Sequence, residues 1–508
     1  MTPVLTVGGA NSPWFGPRVF DDAGLCPAKA AVVLQNSSLP GPGISEPLAK
    51  LSGGAWLAAA TLLRELAAKG PTSAYGAGQH PVADLYRLAA TLLPRESRSL
   101  REFAVAAVEA LLDAGEAAAP GTFDHYPAFI KMPFESGEMH AGGAFAFRGP
   151  AGAWQVWRLR MTTARPACEA SRGWALTAAY CLAGHLDHDG QRPLRAVEVF
   201  EAGAAGGPSV QLGRWARAAL NAEFEALSKS ALRDMAFDLR VRPGSHCADC
   251  RFVGACPGAP RIEGLLQFVP RQPTVRKVTA TDLRTHADCA RRYQLLALEG
   301  LPSDPLAGEA LLRGQRLDAW LRVNHTRNVA CNEADVQRFL AETDDEMGSA
   351  MAGHHLGICP LADAGTSGFR VQKDAAALDA TSRVLLVGRP DAMYVRDTAV
   401  VWRETKSRTT LTARGAQYLV ETDIAAALYL VLLASGASGP PDALEWEELS
   451  ASGQELTILP TDDKDLVEAA RARVSAAVAD LLSDNAYPPR IGVGCANCAA
   501  RRWCPDAP

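Results

Sequence analysis

The sequence predicts a mixed α/β protein made of two tandem units, each with a central sheet flanked by helices. The first observation is an internal likeness, because residues 139–162 and 384–407 align without a gap. The second is a set of cysteines that follows each segment with the same spacing. The third is the order of patterns in each unit, which runs helix, hairpin, helix, strand and helix. We therefore place the units at 1–260 and 275–508, with a proline-containing linker at 261–274.

Apolar patterning predicts the elements of each unit in the same order. In the first unit these are helices at 57–68, 84–93 and 102–114, a hairpin within 121–163, a helix at 173–182, a strand at 195–200 and a helix at 210–231. In the second unit these are helices starting at 279 and 309, strands at 384–387 and 399–402, a helix at 423–433, a strand at 443–449 and a helix at 465–482. Thr279 and Asp282 suit a helix start because their side chains can accept hydrogen bonds from exposed amides.

The polar residues of the second hairpin form a candidate site. A turn at 396–398 places Asp391 opposite Glu404. Lys406 shares a face with Glu404 because strand side chains alternate. Two facing carboxylates destabilise a sheet, and a divalent cation between them removes that cost. Oxygen ligands suit Mg²⁺ or Mn²⁺, and the lysine could orient or deprotonate the attacking water.

The first segment lacks these polar residues. The ungapped alignment places Gly143 on Gly388, Trp157 on Trp402, Arg158 on Arg403, Ala146 on Asp391, Leu159 on Glu404 and Met161 on Lys406. The same geometry puts the turn of the first hairpin at 152–153 and Ala146 opposite Leu159. We therefore expect one working site and one inactive copy.

The Gly388-Arg389-Pro390-Asp391 and Glu404-Thr405-Lys406-Ser407 pattern resembles the PD-(D/E)XK nuclease superfamily, most closely its RecB-type branch. That branch includes CRISPR-associated RecB-like exonucleases and the nuclease domain of AddB-type helicase–nuclease subunits. The resemblance implies restriction-endonuclease-like domains and DNA cleavage that depends on Mg²⁺ or Mn²⁺. It implies that Asp391 and Glu404 bind the metal, with the Thr405 carbonyl as a candidate third ligand, and that Lys406 handles the water.

Two further family positions are only partly matched. The family often has a histidine four residues after a glycine in an early helix, whereas Gly314 here leads to Asp318, which could bind the same metal. The family also often has Gln-x-x-x-Tyr after the Glu-x-Lys strand. Tyr429 fits, but Ala425 stands at the glutamine position, and Asp423 or Gln417 could substitute. The residues expected to contact DNA are Arg389, Arg408, Tyr429, Arg291 and Arg292.

Eight of the twelve cysteines form two sets of equal spacing. The first set is Cys26, Cys247, Cys250 and Cys256, and the second is Cys289, Cys495, Cys498 and Cys504. This spacing is typical of metal binding, and four cysteines could hold Zn²⁺ or an iron–sulfur cluster. The resemblance favours two [4Fe–4S] clusters, each fastening the end of a unit to its first helix. The remaining cysteines, expected to be ordinary buried thiols, are Cys168, Cys181, Cys331 and Cys359.

The chain has 508 residues and a net charge of −5, which disfavours non-specific coating of DNA but permits a local basic groove. The sequence has no uninterrupted apolar run of 18 residues and no signal-peptide pattern, so we expect a cytoplasmic protein. It also lacks a Walker-type motif, so any helicase motor would come from a partner.

These features together predict a metal-dependent DNA nuclease whose C-terminal unit is catalytic and whose N-terminal unit is inactive. The expected setting is DNA repair, recombination or defence, with a helicase or a defence-system protein as partner. The alternative is a non-catalytic DNA-end-binding or assembly scaffold with structural iron–sulfur clusters. A redox protein is a third interpretation, but it leaves the polar hairpin unexplained.

Overall fold

A computed structural model describes most of the second unit and parts of the first. In the second unit the described residues are 259–304, 308–436 and 439–508. In the first unit they are 14–15, 26, 58–59, 61–63, 65, 82–94, 96–118, 131–134, 137–140, 144–148, 153–160, 164, 168–188, 194–204, 207–229, 240–244, 247, 250 and 256.

The described part of the first unit contains both helices and strands. The strands are β1 (Trp14–Phe15), β2 (Lys131–Phe134), β3 (Gly137–His140), β4 (Ala144–Arg148), β5 (Ala153–Arg160), β6 (Ala196–Gly203) and β7 (Val210–Ala216). The helices are α1 (Val82–Leu92), α2 (Arg98–Ala118), α3 (Glu169–His188) and α4 (Arg217–Glu223), the last continuing into a π-helical turn at Phe224–Lys229.

The second unit is described almost throughout. Its strands are β8 (Arg261–Ile262), β9 (Arg276–Thr279), β10 (Thr366–Val371), β11 (Ala375–Asp379), β12 (Val384–Gly388), β13 (Ala392–Arg396), β14 (Ala399–Ser407), β15 (Pro441–Ser450) and β16 (Gly453–Pro460). Its helices are α5 (Ala280–Asp288), α6 (Ala290–Tyr293), α7 (Glu309–Thr326), α8 (Glu333–Thr343), α9 (Glu346–Leu356), α10 (Ala416–Thr422), α11 (Ile424–Ala434) and α12 (Lys464–Ser483).

The main sheets of the two units share one strand order. In the first unit β4, β5, β6 and β7 lie side by side with antiparallel, parallel and antiparallel pairing. In the second unit β13, β14, β15 and β16 repeat that order and those directions, and β10 extends the sheet beside β13. The parallel pair is joined through α3 in the first unit and through α10 and α11 in the second. Both sheets are mixed and both are flanked by helices.

A further sheet in the second unit has the order β8, β11, β12 and β9. The chain therefore leaves β12 in one sheet and enters β13 in another, and Arg389, Pro390 and Asp391 make this crossing. The crossing passes close to α11. A Cβ on Gly388 would lie 2.9 Å from Leu432 and 3.1 Å from Tyr429, so a side chain larger than hydrogen cannot fit there without movement.

The core of the second unit lies between its main sheet, α11 and α12. Every residue from Ile424 to Leu433 is buried, as are Trp402 and Trp446 on the facing strands. At the start of the unit the predicted cap is confirmed. The Thr279 side chain accepts from the Asp282 amide, and the Asp282 side chain accepts from the Thr279 amide, which satisfies two amides at the start of α5.

The two cysteine sets contribute to packing between the units. Cys247 belongs to an apolar cluster with Ala376 and Leu385 of the second unit. In the other direction, Trp503 from the second cysteine loop packs edge-on against Phe103 of α2, with ring centroids 5.4 Å apart. Each cysteine loop therefore contacts residues of the other unit.

The structure corrects the expected linker at 261–274. Arg261 and Ile262 form a strand parallel to β11. Leu265, Leu266 and Val269 are buried in the core of the second unit. The prolines interrupt helices here, but the apolar residues between them still bury their side chains.

The predicted helix at 210–231 is also corrected. It begins with β7, and helical structure starts only at Arg217. The matching strand β16 in the second unit was not predicted either. Both strands pair as hairpins with the buried strand before them, and this pairing outweighs the local sequence pattern.

The first hairpin has a different register from the one that the alignment predicts. β4 and β5 pair Ala146 with Val156 rather than with Leu159. Because β5 already begins at Ala153, the predicted turn at 152–153 is displaced as well.

The aligned tryptophans lie on opposite faces of their sheets. Trp402 packs beneath the crossover helix α11, with its ring 6.1 Å from that of Tyr429. Trp157 instead belongs to the cluster around α2, while its neighbour Val156 packs with the crossover helix α3. Crossover connections between parallel strands are almost always right-handed. The crossover helix therefore covers the same face of the sheet in both units, and equivalent strand residues should face it.

The ungapped alignment is therefore wrong by an odd number of residues. A shift of one residue moves a strand side chain to the other face of the sheet. The matches of Ala146, Leu159 and Met161 to the site residues fail with it, and Met161 itself lies outside the described residues.

Among the described residues, no single helix is both long and apolar enough to cross a membrane. α10 and α11 together meet that test by length and composition only, and they are bent by 111°.

Candidate active site

The predicted hairpin is formed by β13 and β14. Their pairing closes at Arg396 and Ala399, so the turn is centred between Asp397 and Thr398 as predicted. The same register pairs Ala392 with Arg403 and, extended by one residue, places Asp391 opposite Glu404. Asp397 adopts a φ of 55°, which aspartate tolerates better than most residues in a tight turn.

Asp391 is fixed by the neighbouring strand. The Thr405 amide donates a hydrogen bond of 2.8 Å to its Oδ2 atom. Burial raises the pKa of Asp391 to about 8, and the charge of Glu404 adds to the effect. Two ionised carboxylates are therefore unfavourable at this position, and a bound cation would remove that cost.

Glu404 carries one oxygen with no partner. Its side chain is buried, and Oε2 has no hydrogen-bond partner among the described residues. Its Oε1 atom accepts a hydrogen bond from Nζ of Lys406. A buried carboxylate oxygen without a hydrogen-bond donor is costly. Such an oxygen can bind a metal ion instead.

Lys406 lies on the same strand, with its side chain 25% exposed. Burial lowers the pKa of Lys406, but the charges of Glu404 and Asp391 outweigh burial and raise the pKa above its ordinary value. Its Nζ atom also lies 5.4 Å from the centre of the Trp446 ring. Lys406 is therefore an ammonium group held between two carboxylates and an aromatic face.

Asp318 lies on α7, as predicted, and its charge contributes to the raised pKa of Asp391. Both of its oxygens accept from Nε2 of Gln372, at 2.9 and 3.1 Å. Gln372 is a site residue that the sequence did not indicate. Its backbone amide donates to the backbone carbonyl of Asp391 at 2.9 Å. A Cβ on Gly314 would lie 2.9 Å from Oγ of Ser407, so glycine permits the close approach of α7 to β14.

Tyr429 and the two candidate substitutes for the family glutamine all make contacts within the protein. The Tyr429 hydroxyl donates to the Arg389 carbonyl at 3.1 Å, and its ring is buried. Of the two candidate substitutes for glutamine, Asp423 caps α11 and pairs with Arg284 at 3.2 Å. The other, Gln417, donates to Glu421 on the surface.

Arg284 is a second residue that the sequence did not indicate. It lies close enough to Lys406 and Tyr429 to influence the pKa of both. Its side chain is 47% exposed. It therefore places a solvent-accessible cation beside the candidate site.

The arginines expected to contact DNA differ in their surroundings. Arg389 is 63% exposed and pairs with Asp374 at 2.7 Å. Arg408 donates instead to the buried Glu448. Arg291 pairs with Asp506 at 3.4 Å, and Arg292 pairs with Asp288 at 2.7 Å. Arg389 is the most open of these residues.

The corresponding face of the first unit carries Arg158 and Arg160 where the second unit carries Glu404 and Lys406. On that face β5 presents Arg158 and Arg160, which pair with the buried Glu201 of β6 at 3.6 and 2.9 Å. Ala144 lies opposite Arg158 in the hairpin. An arginine cannot bind a metal ion, so this arrangement differs in kind from that of the second unit.

The second cysteine set comes together in the fold. Cys289, between α5 and α6, lines one cavity with Cys495, Cys498 and Cys504. The Arg490 amide lies 3.5 Å from Sγ of Cys289 and donates to it. Burial raises the pKa of Cys504, and the nearby Cys289 and Cys498 add to the increase.

The first cysteine set is described only at its cysteines and a few neighbours. Cys26 and Cys247 are buried, whereas Cys250 and Cys256 are partly buried. Of the other thiols, Cys181 is buried as expected, whereas Cys168 is exposed, which corrects the expectation for that residue.

Cys331 and Cys359 do not behave as isolated thiols. Their sulfur atoms and one nitrogen each of His325 and His355 lie within 4.8 Å of one another. Among the described residues, no other group of three or more histidine, cysteine or acidic side chains qualifies as a metal site by this measure. No three sulfurs of Cys289, Cys495, Cys498 and Cys504 therefore lie within 4.8 Å of one another, and neither do the carboxylates of Asp318, Asp391 and Glu404 as a group of three.

The second unit is similar to a superfamily of nucleases. Residues 277–505 match the family model of the PD-(D/E)XK nuclease superfamily. The match covers a little under half of the chain and runs from β9 through the last cysteine of the second set.

Among solved structures, one titled "Crystal structure of SSO0001" is similar at 14% identity, with a TM-score of 0.24, over 46% of this chain and 88% of that chain. No curated protein matches the chain.

Proposed function

We propose that the second unit is a metal-dependent nuclease that hydrolyses phosphodiester bonds of DNA. The observation that carries the proposal is the unpartnered Oε2 atom of the buried Glu404, beside Asp391 and Lys406. Nuclease chemistry explains why a fold would retain such a costly arrangement, since functional sites accept local instability.

The residues divide the work according to their surroundings. Asp391 and Glu404 would hold Mg²⁺ or Mn²⁺, with the Thr405 carbonyl and Asp318 as further candidate ligands. A bound metal ion would act as a Lewis acid and activate water for attack. Lys406 orients the attacking water and stabilises the negative charge that develops on the phosphate oxygens.

A short row of cations would guide the DNA backbone to this site. Arg284, which lies near Lys406, and Arg389, two residues before Asp391, are both exposed. Phosphate contacts of this kind position a nucleic acid without reading its sequence. Arg408 is less available to DNA, because its side chain pairs with the buried Glu448.

The first unit would be an inactive copy of the same fold. The shared order and direction of four strands support a duplication. Arg158 and Ala144 support the loss of activity, since they stand where the second unit has Glu404 and Asp391, and neither can bind a metal ion.

The two cysteine sets would each hold a [4Fe–4S] cluster, with Zn²⁺ as the alternative. A single zinc ion with Zn–S bonds of about 2.3 Å needs sulfur atoms about 3.8 Å apart. No three sulfurs of the second set lie within 4.8 Å of one another, a separation that a larger cluster accommodates. Such clusters and the Glu-x-Lys pattern favour the RecB-like branch, and with it a role in DNA repair, recombination or defence beside a helicase or defence-system partner.

One observation favours the alternative of a DNA-end-binding scaffold. Both oxygens of Asp318 accept hydrogen bonds from Gln372, so this carboxylate has partners without a metal ion. In that case the site would bind DNA ends through its cations without cutting them.

Incubation of end-labelled single- and double-stranded DNA with Mg²⁺ or Mn²⁺ tests the proposal. The protein should be purified anaerobically, with its clusters loaded, and compared with Lys406→Ala. We expect cleavage by the wild type and at least a roughly 100-fold loss in the variant, with DNA binding retained. Binding without cleavage in the cluster-loaded wild type would favour the scaffold.

A further inference from the structure

A second candidate metal site lies away from the carboxylates. His325 is on the last turn of α7, and Cys331 follows in the connection to α8. His355 is on the last turn of α9, and Cys359 follows that helix. All four side chains are buried, with exposures of 6%, 8%, 0% and 4% in the order named.

The ligand atoms have the spacing of a tetrahedral zinc site. With Zn–N bonds of 2.0–2.1 Å and Zn–S bonds of 2.3 Å, a tetrahedron places two nitrogens about 3.3 Å apart and a nitrogen and sulfur about 3.6 Å apart. In the structure Nε2 of His325 and Nε2 of His355 are 3.2 Å apart. Sγ of Cys359 lies 3.7 Å from Nε2 of His325.

A carboxylate orients one of these histidines. Nδ1 of His355 lies 2.6 Å from Oε1 of Glu447, and both residues are completely buried. That hydrogen bond leaves Nε2 of His355 facing the other three ligand atoms. A carboxylate on the far nitrogen of a metal-binding histidine fixes the ring and increases its basicity.

We propose that His325, Cys331, His355 and Cys359 bind one structural zinc ion. Two thiolates and two imidazoles in a tetrahedron are a donor set that zinc prefers. Binding would release the thiol protons of Cys331 and Cys359 to solvent, so the ion and the two thiolates are neutral together. The burial of all four ligands leaves no open position for substrate, which is the arrangement of a structural rather than a catalytic site.

Simpler explanations account for only part of the group. A buried histidine satisfied by Glu447 would explain His355 but not the two sulfurs directed at the same centre. An iron–sulfur cluster spreads its four protein ligands over two or more iron atoms, and four ligand atoms within 4.8 Å are too close together for that. A hydrogen bond between the two Nε2 atoms would explain their approach, and a disulfide would explain the two sulfurs, but neither explains why all four atoms converge on one centre.

The zinc ion would connect the helices to the main sheet near the carboxylates. α7 carries both Asp318 and His325, which are seven residues apart and therefore on one side of the helix. Glu447 of β15 also accepts a hydrogen bond from Oγ1 of Thr405 at 3.3 Å. The zinc site itself does not depend on the nuclease proposal.

Metal analysis of the full-length protein tests the inference. We expect one zinc per chain in the wild type and in Cys168→Ser, an exposed-cysteine control, and none in Cys359→Ser. The iron content should be the same in all three proteins, because neither serine replaces a member of the two cysteine sets. Unchanged zinc in Cys359→Ser, or no zinc in the wild type, would overturn the inference.

X-ray absorption at the zinc edge of the wild type remains decisive if Cys359→Ser does not fold. The expected shell has two sulfurs at about 2.3 Å and two nitrogens at about 2.0 Å. A shell of four sulfurs would assign the zinc to a cysteine set instead. Mass spectrometry of the unreduced protein provides an independent check, and a disulfide between Cys331 and Cys359 would contradict zinc binding.

Discussion

The Thr405 amide donates a 2.8 Å hydrogen bond to Oδ2 of Asp391. This bond joins β14 to the crossing between the two sheets, and it holds the Asp391 carboxylate beside Glu404. The pKa of Asp391 is raised to about 8 by burial first and by Glu404 second. The fold thus holds two carboxylates face to face, and without a metal ion this arrangement costs stability.

The first prediction concerns this cost. Asp391→Asn removes a buried charge but keeps an oxygen that accepts from Thr405. We expect the metal-free variant to unfold at a higher temperature than the wild type, by roughly 2–4 °C for each 1 kcal/mol of relieved repulsion. Mn²⁺ should raise the Tm of the wild type but not that of the variant. Equal Mn²⁺ stabilisation of both proteins would remove Asp391 from the ligands.

The second prediction concerns the crossing. Gly388→Ala places a methyl group 2.9 Å from Leu432 and 3.1 Å from Tyr429. We expect a loss of about 1–3 kcal/mol in the free energy of unfolding, because the core must shift. Gly353→Ala is the matched control, since its Cβ meets nothing within 4 Å on α9, and it should stabilise the helix by up to about 1 kcal/mol. Denaturant unfolding compares the two, and equal effects would contradict the close approach.

The third prediction concerns the C-terminal cysteines. Cys498→Ser removes one of the four thiols, Cys289 among them, that line the cavity. We expect about half of the iron to be lost and the Tm to fall, because ligation is part of the folding free energy. Cys168→Ser should leave both unchanged. Full iron content in Cys498→Ser, measured after anaerobic purification, would argue against the cluster.

The fourth prediction concerns acid stability. Burial raises the pKa of Asp484, but hydrogen bonds from the Tyr487 amide and from His286 outweigh burial and leave the pKa below its ordinary value. A lowered pKa stabilises the fold above the ordinary value of about 3.9, and this contribution disappears as the pH falls further.

Asp484→Asn therefore lacks a stabilising term that only the ionised wild type has. We expect it to lower Tm at pH 7, corresponding to about 1–2 kcal/mol. The difference in Tm between the two proteins should shrink as the pH falls below about 4. Thermal melts at several pH values measure this difference, and a constant difference would show that charge is not the cause.

The sequence predicted the second hairpin well because local rules determine it. Strand alternation and a two-residue turn place Asp391 opposite Glu404, and the observed register agrees. The helix that carries Asp318 and the cap at Thr279 were also local patterns. The roles of these residues in metal binding stay predictions.

The first hairpin was misjudged because a local likeness hid a change of face. The matching Trp-Arg pairs at 157–158 and 402–403 favoured an alignment that differs by an odd number of residues from the packing. Only contacts with the crossover helix reveal which face a strand residue occupies. A sequence pattern alone could not choose between the two.

Other site residues left no signal in the sequence. Gln372 contacts Asp318 from just after β10, and Arg284 of α5 lies near Lys406, although both are far from the hairpin in the chain. His325 and His355 are thirty residues apart and meet only when α7 packs near α9. Such groups depend on tertiary packing.

The most direct test of the central claim is Mn²⁺-dependent cleavage of labelled DNA by Glu404→Gln. The control is Glu421→Gln, which makes the same change on the exposed side of α10. We predict that the wild type and Glu421→Gln cleave at the same rate, whereas Glu404→Gln binds DNA and retains its iron but cleaves at least roughly 100-fold more slowly. Cleavage by Glu404→Gln at the wild-type rate would contradict the assignment of this site.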